Sequence, residues 1–83
     1  MDLAKEFEAA ATKRMEEEGF VLFKRTYTPN RDDIALTYCK INNPKCCSVM
    51  ASGLDLLQAT DVAALATAKA ETAIRYYQSG TTK

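Results

Sequence analysis

The sequence predicts an α+β fold in which a helix, a three-stranded antiparallel sheet and a second helix follow one another (αβββα), with both helices packed on one face of the sheet. Residues 2–18 and 60–78 repeat apolar side chains at the three- and four-residue spacing of an amphipathic helix. Between them lie three short runs rich in β-branched and aromatic residues, separated by turns, which favours antiparallel strands. Because two helices cover one face of such a sheet, we expect the other face to be open.

The first helix is predicted from Asp2 to Glu18. Asp2 suits the N-cap position, because its side chain accepts backbone N–H groups and its charge matches the positive end of the helix dipole. Gly19 can adopt the left-handed conformation that often ends a helix. The apolar stripe of this helix consists of Leu3, Phe7, Ala10, Ala11 and Met15.

The strands are predicted at Phe20–Thr28, Ile34–Ile41 and Cys46–Ser52. Residues 29–33 and 42–45 contain proline and asparagine and form the turns between them. Since side chains alternate along a strand, the first strand is expected to present two sets of residues on opposite faces. One set is Phe20, Leu22, Lys24 and Thr26, and the other is Val21, Phe23, Arg25 and Tyr27.

The second helix is predicted from Thr60 to Gln78, with Thr60 as its N-cap. Its many alanines have high helix propensity and let the helix axis approach neighbouring elements closely. Gly80 is expected to end this helix, which leaves residues 79–83 as a frayed tail. The segment Leu54–Gln58 fits a strand extension, a loop or a helical lead-in equally well.

Length and composition limit the classes to which the protein can belong. Its 83 residues suffice for a single compact domain over residues 1–83. With 47% hydrophobic and 27% charged residues, the composition is that of an ordinary globular protein. The longest apolar runs, such as Phe20–Phe23, are too short to span a bilayer, and the N-terminus lacks the apolar core of a signal peptide. We therefore predict a cytoplasmic protein with no membrane partner.

The chain has three cysteines, Cys39, Cys46 and Cys47, and no histidine. Structural zinc needs four Cys or His ligands, and a cysteine or serine nucleophile normally needs an imidazole base. We therefore predict no enzyme activity, no catalytic residue, no metal site and no cofactor. An odd number of cysteines argues against a complete disulfide framework. We interpret them as small packing residues in a reducing compartment, with a thiol redox sensor as a further alternative.

Protein binding is the predicted function. We expect a small interaction or regulatory module that docks onto another protein, with homodimerisation through the open sheet face as one possibility. Aromatic and arginine side chains anchor many interfaces, and strand alternation would bring several of them onto that face. Three consecutive glutamates lie where the helix dipole disfavours acids, which indicates a second contact surface. The predicted partner-binding residues are Glu16, Glu17, Glu18, Phe23, Arg25, Tyr27 and Tyr38.

A nucleic-acid-binding protein is the alternative. Residues 19–52 carry five basic and two acidic side chains, whereas residues 1–18 carry three basic and six acidic ones. A basic region with interleaved rings is typical of single-strand platforms, in which bases stack on rings and cations contact phosphates. The residues predicted for this function are Lys24, Arg25, Arg31, Lys40 and Lys45.

The stretch Thr60–Leu65, at the start of the predicted last helix, holds Asp61 and no basic residue. The order helix, three strands, helix resembles that of double-stranded-RNA-binding domains over nearly the whole chain. That family places a lysine-rich cluster at the start of its last helix, where it grips phosphates. The resemblance is one of element order, and no functional residue is carried over from it.

Overall fold

The computed structural model describes residues 3–28, 33–43 and 45–79. It confirms the predicted α+β class and adds one short helix between the sheet and the last helix, in the segment that the sequence left undecided. The predicted N-cap Asp2, residues 29–32 of the first turn and the tail from Gly80 lie outside the described residues. The elements are α1 (Leu3–Glu17), β1 (Phe20–Thr28), β2 (Asp33–Lys40), β3 (Cys46–Ala51), α2 (Gly53–Gln58) and α3 (Val62–Ser79).

The three strands form an antiparallel meander in the order β1-β2-β3. The central strand β2 shows which face the helices cover, because its alternate residues Ile34, Leu36 and Tyr38 are buried. α1 contacts β1 and β2, and α3 contacts β3. We call the side with these three buried residues the helix-covered face and the opposite side the open face.

The core lies between the helix-covered face and the packed pair α1 and α3. Ala66 and Ala70 of α3 are fully buried, so small side chains allow α3 to lie close to its neighbours. The Tyr38 hydroxyl, at the centre of the sheet, is 2.9 Å from Oγ1 of Thr12 on α1. This hydrogen bond satisfies a polar group that would otherwise be costly to bury. The remaining large, fully buried side chains are Phe7, Met15, Phe20, Leu36 and Val49.

β1 contains a bulge at Phe23. The register runs from Leu22 opposite Tyr38 directly to Lys24 opposite Thr37, so Phe23 is an extra residue in the ladder. A bulge shifts the side-chain alternation of the residues that follow it by one position. The single alternation predicted for the whole first strand is therefore wrong beyond Leu22.

The shifted alternation changes the face on which the second half of β1 lies. Arg25 is opposite Leu36 and Tyr27 is opposite Ile34, and both partners belong to the helix-covered face. Paired residues of antiparallel strands share a face, so Arg25 and Tyr27 lie on that side too. The open face instead receives Lys24 and Thr26.

Local capping sets the helix ends. The Oδ1 atom of Asp61 accepts the backbone N–H three residues further on, at 3.2 Å, which makes Asp61 the N-cap of α3. The prediction of Thr60 as this cap is wrong, because the helix begins one residue later than expected. Ser52 and Asp55 form a capping box that starts α2. Gly19 follows α1 with φ 91°, the left-handed conformation that was predicted for it.

Cys39 and Cys46 face each other across β2 and β3 and are joined by a disulfide, with their Cα atoms 4.4 Å apart. The interpretation of these two cysteines as reduced packing residues is therefore wrong. The register of the hairpin places them directly opposite each other. Their separation in the sequence alone does not predict this pairing. Cys47 is a free thiol. One bond and one thiol account for the odd number of cysteines.

Candidate functional site

The open face of the sheet is the candidate site. Its side chains form three rows across all three strands and a fourth row across β1 and β2, which follow from the two registers. Its charged side chains are Lys24 in the second row and Asp33 in the fourth. The rows are Val21, Cys39 and Cys46; then Lys24, Thr37 and Ser48; then Thr26, Ala35 and Met50; then Thr28 and Asp33.

Large apolar side chains are exposed at both edges of this face. Val21 is 43% exposed and Phe23, at the bulge, is 73% exposed on β1. Met50, on the opposite edge strand, is 60% exposed. Exposed apolar side chains that cluster on one surface mark interaction sites more often than scattered ones do. Methionine adds a flexible, polarizable side chain that adapts to different partners.

The predicted aromatic cluster does not assemble on this face. Tyr38 is buried in the core beneath α1. Tyr27 and Arg25 lie on the helix-covered side, and Arg25 Nη1 is 3.0 Å from both carboxylate oxygens of Glu8 on α1. Of the predicted rings, Phe23 is the one beside the open face. The bulge and the burial of Tyr38 are the physical reasons for this difference.

The acidic run at the end of α1 is partly neutralised. Arg14 Nη1 is 3.1 Å from Glu18 and 3.8 Å from Glu17, and Arg14 Nε is 3.5 Å from Glu71 on α3. A single guanidinium thus links three carboxylates and ties α1 to α3. Glu16 is exposed. The acidic run suggested a docking surface, but Arg14 offsets part of its unfavourable charge at the helix end. Each of these exposed ion pairs contributes little to the free energy of folding.

The predicted basic residues occupy separate surfaces. Lys40 and Lys45, on either side of the β2–β3 turn, lie over aromatic rings: their Nζ atoms are 5.1 Å from the ring centres of Phe20 and Tyr77, respectively. They also bring positive charge near the last turn of α3, which has no basic residue of its own. Lys24 lies on the open face and Arg25 pairs with Glu8, whereas Arg31 lies outside the described residues.

Cys47 lies on the opposite face of the sheet from the disulfide, because side chains alternate along β3. It is opposite Tyr38 and half-buried against the core, whereas Cys39 and Cys46 belong to the open face. Burial raises the pKa of the Cys47 thiol above its ordinary value. A smaller thiolate fraction at neutral pH makes Cys47 a poor nucleophile and a poor resolving thiol for the neighbouring disulfide.

Two features of the site were missed by sequence reasoning. Met50 received no role, although alternation from the following buried Ala51 would have placed it on the open face. The pairing of Cys39 with Cys46 was missed because the two residues are not symmetric about the predicted turn 42–45, whose middle lies between Asn43 and Pro44. Symmetric pairing across that turn would have placed Cys46 opposite Ile41. The bulge at Phe23 has no comparable signal, since no glycine marks it.

Within residues 3–28, 33–43 and 45–79, no group of three His, Cys, Asp or Glu side chains is placed to hold a metal ion. Among the helices of these ranges, none combines the length and the apolar character needed to cross a bilayer. Comparison of the chain with protein-family models, with characterised proteins and with solved structures finds no match. What the open face binds is therefore inferred from its own chemistry.

Proposed function

We propose that this protein is a small, non-enzymatic interaction or regulatory module that docks another protein on the open face of its sheet. The supporting observation is the exposure of Phe23 and Met50 at the two edges of a face that the described helices leave uncovered. Removing apolar surface from water drives protein association, at about 25 cal/mol per Å². Phenylalanine and methionine are both enriched in protein interfaces relative to the rest of the surface.

The geometry favours a protein over a nucleic acid as the partner. A platform for single strands combines several cations with exposed rings on one surface. Among the described residues, the open face carries one cation, Lys24, and one acid, Asp33, whereas Arg25 is held by Glu8 on the other side. Lys40 and Lys45 lie at the hairpin end, against Phe20 and Tyr77. Neutral, partly apolar chemistry is what a protein surface recognises.

Affinity capture from the native host with matched surface variants tests this proposal. Phe23→Asp places a charge on the open face, and Leu57→Asp places one on α2, where Leu57 is 72% exposed compared with 73% for Phe23. We expect proteins captured by the unmodified chain to be retained by Leu57→Asp and lost by Phe23→Asp. The same captured set with both variants, at unchanged circular dichroism, would show that the open face is not the docking surface.

A thiol redox sensor is a second candidate, and the cross-strand pair Cys39 and Cys46 favours it. Oxidation removes two protons and two electrons from the thiols and joins their sulfur atoms. A disulfide such as oxidised glutathione accepts the electrons and leaves as two thiols. In the cytoplasm, our predicted location, the reduced form prevails until oxidant rises. Because both cysteines belong to the open face, the change would occur on the docking surface itself.

Equilibration in glutathione buffers of varied ratio tests this second candidate. The readout is the mass of the intact protein, which falls by two hydrogens on oxidation. A sensor requires a midpoint near the cytosolic glutathione poise, about −320 to −220 mV. A pair that stays oxidised at much lower potentials is structural. Cys47→Ala is the control, because it removes the free thiol and leaves the pair intact.

A further inference from the structure

The outer edge of β3 differs from the outer edge of β1. Both are edge strands, and no described strand pairs with the outer side of either. An edge presents N–H and C=O groups that can pair with another chain, and proteins commonly block this with bulges or charges. β1 carries both devices, the bulge at Phe23 and the adjacent Lys24 and Arg25. Residues 46–51 of β3 contain no charge, proline or register irregularity.

The register shows which residues of β3 direct their backbone outward. The Cα atoms of Cys39 and Cys46 are 4.4 Å apart, the spacing of a pair that exchanges no backbone hydrogen bonds. Hydrogen-bonded and non-bonded pairs alternate along an antiparallel ladder. Ser48 and Met50 therefore also belong to non-bonded pairs with β2. Their N–H and C=O groups point away from the sheet, towards the outer edge.

We infer that a second copy of this chain occupies this edge, with the two β3 strands antiparallel about Ser48. Ser48 then lies opposite its own copy, and Cys46 lies opposite Met50 of the other copy. An isologous contact brings like residues together, which an uncharged strand tolerates and a lysine-bearing strand does not. This self-compatibility is what identifies the occupant as a second copy.

The flank of α3 beside β3 supplies further contact area. Paired strands alone bury less than the roughly 800 Å² per partner of a standard interface. Glu71 marks the side of α3 that faces α1, and Tyr76 lies about 140° further round the helix. Lys69 lines a cavity together with Met50, so this flank adjoins β3. Tyr76 is 70% exposed there and is available to a neighbouring copy.

Pairing of the two β3 strands would merge the open faces of both copies. Antiparallel neighbours in a sheet keep corresponding faces on the same side, so the sheet would have six strands and one continuous open face. In this dimer the proposed docking surface becomes twice as large. The use of that surface for docking rests on the proposed function, whereas the existence of the dimer does not. The dimer itself is measured without any docking partner.

Sedimentation equilibrium of the full chain tests the inference. At about 100 µM, above the micromolar dissociation constants of weak interfaces of this size, we expect twice the 9.2 kDa chain mass. Ser48→Lys should raise the dissociation constant about tenfold or more, because two ammonium groups meet at the symmetry axis. Thr26→Lys is the matched control: it adds the same charge to the open face but on β1, and should leave the dimer intact.

Ser48→Pro provides an independent variant. It removes an N–H that the β2–β3 ladder does not use, so the fold should survive while the edge loses a donor. A monomeric unmodified chain, or equal masses for Ser48→Lys and Thr26→Lys, would overturn the inference. A monomeric chain whose partner capture is abolished by Ser48→Pro would assign the edge to a different protein and overturn it too. The docking proposal fails by a different result, namely that the Phe23→Asp variant captures the same proteins as the unmodified chain.

Discussion

Replacement of Cys46 by serine should lower the free energy of unfolding, mainly because the unfolded chain is no longer restricted by the disulfide. The bond joins residues seven positions apart and so closes an eight-residue ring. The loop-entropy relation then gives about 2.5 kcal/mol at 25 °C. A chain of 83 residues is expected to have only roughly 4–12 kcal/mol of stability in total. Cys46 is exposed, so the substitution itself removes little packing.

Urea denaturation followed by circular dichroism, with and without reductant, measures this effect. Without reductant, the midpoint of Cys46→Ser should lie roughly 2 M below that of the oxidised unmodified chain. With reductant, the two proteins should coincide, because the variant has no bond to lose. Cys47→Ala is the control and should keep its response to reductant. If the oxidised and reduced forms of the unmodified chain share one midpoint, the entropic reasoning is refuted.

Four further predictions concern single residues. Tyr38→Phe should lower the free energy of unfolding by about 1 kcal/mol through loss of the bond to Thr12, as measured by urea denaturation; a double-mutant cycle with Thr12→Val should show the coupling. Burial raises the pKa of Tyr38 despite the opposing Thr12 hydrogen bond, so stability from this group is complete below pH 10 and is lost as pH rises through the folded pKa; Tyr38→Phe should flatten this alkaline decline in thermal melts. Ala70→Leu should lower the melting temperature, at a cost of about 1–3 kcal/mol, because a side chain with no exposed surface has no room to grow. Asp61→Ala should cost about 1 kcal/mol and Thr60→Ala almost nothing, and equal losses would contradict the cap assignment.

The sequence was sufficient for the features that depend on local periodicity. The boundaries of β1 were predicted to the residue, and those of the two long helices to within two residues, because apolar spacing and Gly19 mark them clearly. The cap of α3 was misplaced by one position, since Thr60 and Asp61 are both good capping residues. The short helix α2 was undecided because six residues carry too little periodicity.

The candidate site was predicted less well, because it depends on relations between strands. The open face was predicted, but its composition was not. One extra residue at Phe23 shifts Arg25 and Tyr27 to the helix-covered side, and no local signal indicates it. Tyr38 occupies a core position in which its ring is buried and its hydroxyl is paired, which residue type alone does not reveal. The cysteine pair required the register of the hairpin.

The bulge also divides β1 into two segments with opposite tolerance to substitution. Before it, odd-numbered positions accept polar or charged residues; after it, even-numbered positions do, so Val21 and Lys24 lie on the same face although two residues separate them. In a saturation mutagenesis scan, tolerance to substitution should therefore alternate along β1 with a period of two residues, and this alternation should shift by one residue at position 23. Deleting that single residue should restore a regular ladder in which Lys24 stays opposite Thr37, so Arg25 should keep its place beside Glu8.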